Sequence, residues 1–177
     1  SSMLAYFEPS QANGLPACSA VNNDHYEQAE ATGVDLKAAL QPAVQSQLLG
    51  IPPAAAAGLM TTRASSAAFF VDGTNRAMFR FTLMAHMCKD LEEVQDITLP
   101  NDRIRQDVSR SPGGDSRIYL NNCVGCHTGM DPMTQAFAYY NFDAAQGRLV
   151  YTPDQVQAKY FNNDTTFRYG YRTPNDD

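Results

Sequence analysis

The sequence predicts a mainly α-helical chain with a loop-rich N-terminal extension, on three observations. Apolar residues recur at helical spacing from about Arg76 to Gln95. Helix starts and stops punctuate the chain at Asp35, Gly50, Asp115 and Thr152-Pro153. Residues 1–34, by contrast, are rich in Asn, Ser, Gly and Pro and hold no sustained period, so they read as extended segments and turns lying over a core.

Taken in order, Asp35 caps a helix through Leu36, Ala39, Leu40, Val44 and Leu48, with Pro42 as a kink or early break and Gly50 as its stop. The alanine-rich stretch Ala54 to Ala57 is explained by helix propensity. A second helical segment runs from Ala64 to Val71 and stops at Asp72-Gly73-Thr74-Asn75. The clearest helix follows. Phe79, Leu83, Met87, Leu91 and Val94 form its apolar face, with Met84 and Cys88 on one flank and His86 on the other. Pro100 to Gly114 is polar and turn-rich, a connecting loop. Asp115 caps a helix over Ser116 to Asn122, on which Ile118 and Tyr119 share the side of Cys123. Asp131-Pro132 makes a turn, Thr134 to Tyr140 a short helix, Gly147 to Tyr151 a strand, and Gln155 to Phe161 a last helix.

The 177 residues carry a formal net charge of −6, which argues against nucleic acid or an anionic membrane as partner and suits a partner with a basic patch. No apolar run reaches the length of a membrane span. The N-terminal Ser1-Ser2-Met3-Leu4 lacks the regions of a secretion signal, so the chain is read as mature or as a piece of something longer.

The most specific stretch is Cys123-Val124-Gly125-Cys126-His127. Cys-x-x-Cys-His is the attachment signature of a c-type haem, in which two thiols add to the porphyrin vinyl groups and the imidazole ligates iron. Two other readings compete. A zinc site would draw its remaining ligands from Cys18, Cys88, His25 or His86, but no second Cys pair has ligand spacing. A thioredoxin-like dithiol wants a preceding strand, where these residues look helical.

Ile118-Tyr119-x-x-x-Cys123 resembles the entry helix of class I cytochromes c. A broader likeness starts at Gly58-Leu59-Met60-Thr61-Thr62-Arg63, continues through Arg80-Phe81-Thr82-Leu83 and Met87-Cys88, and ends with His127-x-x-Met130-Asp131-Pro132 and Asn141-Phe142-Asp143-x-x-x-Gly147-Arg148. These segments resemble the haem-binding domain of the planctomycete-type cytochrome c family, found in large exported proteins. Lys89-Asp90-Leu91-Glu92-Glu93 stands where that family has a proline-rich stretch, and residues 1–57 have no counterpart in it. The resemblance implies a cytochrome c-like haem domain over 58–177, one covalent haem c, and a periplasmic or extracellular location; residues 1–57 are read as an extension packed on that core, the whole forming one compact unit. It also implies a monomeric domain whose partner is a redox protein, in one version an extracellular redox enzyme of polysaccharide breakdown. In an oxidising space Cys18 and Cys88 are left either as a disulfide or as two buried free thiols.

His127 is then the proximal ligand, and the distal side decides function. A thioether suits electron transfer, and an open site suits peroxide or gas chemistry. Met130 and Met133 lie too near the proximal turn to return across the ring, so a Met ligand would come from upstream. Met84 is the first candidate, with Met60 and His86 as alternatives and core packing as the competing role for Met84. Met130 is expected to pack near the imidazole or order its turn. Arg148 and Arg168 are candidate propionate partners or plain surface residues, and Asp143 a loop anchor pairing with Arg148. The leading reading is an electron carrier, not an enzyme. The alternatives are a peroxidase-like haem enzyme or a gas or redox sensor with an open distal site, and a module in which haem is only a structural staple.

Overall fold

A computed structural model of the chain describes residues 7–9, 21–71, 73–156 and 160. The expectations placed on Cys18, Arg168 and the end of the 155–161 helix lie outside the described residues. The chain is mainly helical and divides into two compact units, Ser1–Ala68 with Phe142–Tyr151 and Phe69–Asn141 with Thr152–Asp177. The boundary expected after Ala57 falls inside the first unit. No helix among the described residues is long and apolar enough to cross a membrane.

In the first unit, β1 (Phe7–Pro9) pairs antiparallel with β2 (Leu40–Pro42), Phe7 opposite Pro42. Helix α1 (Asp24–Ala31) forms where only turns were expected, with His25 and Ala29 buried one turn apart. So short a helix is marginal by propensity, and burial of this face is what sustains it. At α2 (Leu36–Ala39) Asp35 acts as expected, accepting the N–H of Lys37 at 3.0 Å. The helix does not run on to Leu48. It gives way at Leu40 to β2, where the missing N–H of Pro42 is tolerated on an edge strand, and resumes as α3 (Gln45–Leu49), stopped by left-handed Gly50.

The alanine-rich stretch is not an α-helix either. It holds two 3-10 turns, Pro53–Ala55 and Gly58–Thr61, because the buried Gln45 amide donates to the Gly58 carbonyl at 2.9 Å and accepts its N–H at 3.1 Å. Tertiary bonding overrides propensity here. Helix α4 (Arg63–Phe69) follows as expected. The second two-stranded sheet joins β3 (Tyr140–Asp143) to β4 (Arg148–Tyr151). Asp143 anchors the turn between them, accepting the N–H groups of Ala145 and Gln146. It does not pair with Arg148, which donates to the Leu49 carbonyl instead. Gly147, at φ +65, is required: a Cβ there would lie 2.9 Å from the Val21 carbonyl oxygen.

In the second unit the helix expected from Arg76 to Gln95 is two helices. Helix α5 (Arg76–Met87) ends at Cys88, which is exposed and left-handed at φ 52, and α6 (Leu91–Val94) begins with an Asp90/Glu93 capping box. Arg80 fixes the break by donating to both Asp90 oxygens, at 2.8 and 2.6 Å. The apolar stripe survives it only in part: Phe79, Leu83, Leu91 and Val94 line one cavity of about 200 Å³ together with Cys126 and Met130, while Met87 at the end of α5 is exposed. Pro100 to Gly114 is irregular, as expected, yet Ile104 and Arg105 within it are buried, and Ile104 packs with Tyr119 and Val124. Pro153 and Asp154 form a turn where a helix was expected to start.

Candidate functional site

Asp115 accepts the N–H of Arg117 at 2.9 Å and starts α7 (Ser116–Ile118), as its cap spacing requires. The chain then makes one π-helical turn, Tyr119–Cys123, before α8 (Val124–Met133). The wider turn changes the phase of the helix. Tyr119 faces inward onto the cluster that also holds Cys123, while Ile118 is exposed. Only Tyr119 therefore shares the side of the first cysteine. The turn delivers Cys123, Cys126 and His127 within the start of one helix, each partly exposed.

Helix α8 does not turn at Asp131-Pro132. It continues through Pro132 to Met133 and so sets Asp131 one turn after His127. His127 Nδ1 lies 3.1 Å from Asp131 Oδ1. The Asp131 side chain is fully buried and also accepts Arg76 Nε at 2.7 Å, Arg76 Nη2 at 3.1 Å and the Arg105 N–H at 2.9 Å. Those four bonds fill the acceptor capacity of a carboxylate. Burial alone would push the Asp131 pKa up, but the bonds from His127 and Arg76 pull it down to about 2. An ionised carboxylate can only accept, so in this contact Nδ1 of His127 is the donor. Nε2 has no hydrogen-bond partner among the described residues.

Behind this pair, Arg76 reaches Asp107 with both Nη atoms, at 2.9 and 2.7 Å. Burial opposes the Arg76 charge, but its bonds to Asp107 and Asp131 more than offset that and raise its pKa. The buried Arg105 guanidinium donates to the Thr74 carbonyl and Thr134 Oγ1 and stacks 4.5 Å from the Tyr160 ring centre. That anchoring fixes the backbone N–H which Asp131 accepts.

The donor set fits a covalently held haem: two thiols one turn apart, followed at once by an imidazole with its outer nitrogen available. Burial, then Glu92 and Asp90, push the Cys126 thiol up. Among the described residues no group of three or more His, Cys, Asp and Glu side chains is arranged to hold a metal ion.

Met84 lies on α5, 51 % exposed, lining a cavity of about 540 Å³ with Phe69, Ala77, Arg80, Phe81 and Ala85. Packing does not consume it, in contrast to the buried Met78 and Met130. His86 is exposed, its ring edge-on to Phe81 at 6.3 Å. Met60 lies on the Gly58–Thr61 turn of the first unit. Cys88 is exposed, not a buried thiol, and its expected partner Cys18 is not among the described residues.

No family model, curated protein or solved structure matches this chain. Sequence reasoning missed Arg76, Arg105 and Asp107. The Asp131 contact was legible at four residues from His127 once the helix is continued through Pro132. Arg76, 55 residues from Asp131, carries no local signal.

Proposed function

We propose that this chain is a single-haem c-type cytochrome domain that carries electrons between proteins. Cys123 and Cys126 hold the porphyrin, and Nε2 of His127 binds its iron. The observation that supports this most is the buried Asp131 carboxylate on His127 Nδ1. It fixes ring tautomer and orientation, as the outer partners of metal-bound histidines do, beside a Cys-x-x-Cys pair. When bound, haem supplies a one-electron couple at iron. The chain's own part is to tether, orient and shield. The Ile104, Tyr119 and Val124 cluster backs Cys123, and Arg76 with Arg105 locks Asp131.

Met84 is the proposed sixth ligand. Arg76, Arg80 and Met84 recur every four residues along one face of α5, and Arg76 is the residue that reaches the Asp131–His127 pair. Its thioether is free of core packing and borders an apolar cavity of cofactor-holding size. Export to the periplasm or beyond, and a redox partner with a basic surface, follow from the attachment chemistry and the net charge of −6.

A second reading draws on the same hydrogen bond. A carboxylate on the proximal imidazole makes it a stronger donor, which also suits peroxide or gas chemistry at an open iron. The reduced absorption spectrum with and without carbon monoxide separates the two. An unchanged low-spin spectrum supports the carrier; a carbon monoxide complex formed at once supports the enzyme or sensor.

A further inference from the structure

The carboxylate that orients His127 is itself shared. Asp131 is fully buried, Arg76 is 17 % exposed and Asp107 27 % exposed, so one continuous row of charge-assisted hydrogen bonds leads from the imidazole towards solvent. We propose that Asp107, Arg76 and Asp131 act as a tuning chain that sets how strongly the His127 imidazole donates to iron, Asp131 and Asp107 being positioning residues. The proposal rests on the haem reading above.

His127 and Arg76 compete for one carboxylate. Asp131 attracts the Nδ1 proton of His127 and so makes the ring a stronger electron donor. Arg76 opposes this, because it holds Asp131 through two short bonds and places its charge there. Asp107 takes both Nη atoms of the same guanidinium, which offsets that charge and returns basicity to Asp131. The two carboxylates therefore act with the same sign, the inner one more strongly. A stronger imidazole donor favours ferric over ferrous iron, so each carboxylate lowers the reduction potential.

The test is the resonance of the His127 Nδ1 proton in the reduced holoprotein, read by NMR beside the reduction potential. Asp131→Asn is expected to move that resonance upfield and raise the potential. Asp107→Asn is expected to do both by a smaller amount. Glu92→Gln is the control, because Glu92 acts on Cys126 through space but is no part of the chain. It should raise the potential without moving the resonance. An unmoved resonance in Asp107→Asn overturns the tuning chain and leaves only bulk charge. Should Asp131→Asn fail to fold, the partly exposed Asp107 variant still decides. Wild-type protein that holds no haem overturns the haem reading and this proposal together, an outcome distinct from haem-loaded variants with an unmoved resonance.

Discussion

His127 Nδ1 and Asp131 Oδ1 lie 3.1 Å apart across one turn of α8, and the carboxylate has no exposure to solvent. Its other bonds come from a helix and a loop distant in the chain, so Asp131 joins α5, α8 and the segment around Arg105 at one point. Asp131→Ala leaves Arg76 and Arg105 facing a void where a charge was. Loss of one partner of a buried pair costs about 3–5 kcal/mol. A urea unfolding curve should show a loss of that size, and a change within about 0.5 kcal/mol, the size typical of surface substitutions, would contradict the role given to Asp131.

The same residue gives stability a pH dependence. Its pKa is depressed from 3.8 to about 2 in the folded chain, so its contribution is fully present above about pH 4 and is lost as pH falls through about 2. The amount is on the order of 2 kcal/mol. Unfolding of wild type and Asp131→Asn, compared from neutral pH down to about pH 2, should show the gap between them closing in that window. A gap that stays constant would contradict it.

Each cysteine is assigned one thioether. Cys123→Ser and Cys126→Ser should each retain at most a single covalent link, with altered visible bands, and the double variant should lose its haem under denaturing conditions. Mass measurement of the unfolded chains checks this. Full covalent retention in the double variant would exclude both sulfurs.

Met84→Ala should convert a low-spin ferric spectrum to high spin and lower the reduction potential, because a thioether ligand raises it. Stability should change little, since the side chain is half exposed. An unchanged ferric spectrum would remove Met84 from the iron.

How much of this was legible in the sequence differs from residue to residue for physical reasons. Asp115 as a cap and Gly50 as a stop were readable because both signals are local. The break at Cys88 was written in Asp90-x-x-Glu93 but masked by an apolar period that continues across it. The 3-10 turns in the alanine-rich stretch depend on the Gln45 amide, thirteen residues from Gly58, and no propensity encodes that. At the site, Cys123, Cys126 and His127 were legible because attachment chemistry fixes their spacing. Arg76 and Asp107 were not, because only the packing of α5 on α8 brings Arg76 to Asp131, and Asp107 meets Arg76 from the irregular segment 31 residues further on. Asp131 itself was hidden by Pro132, which reads as a turn and instead sits in the last turn of a helix.

The most direct test is the mass and visible spectrum of the unfolded chain after production in a host that matures c-type cytochromes. The account predicts a mass greater than the polypeptide by one haem, and the sharp reduced bands of a haem held by thioethers. A colourless chain with the bare polypeptide mass would contradict it.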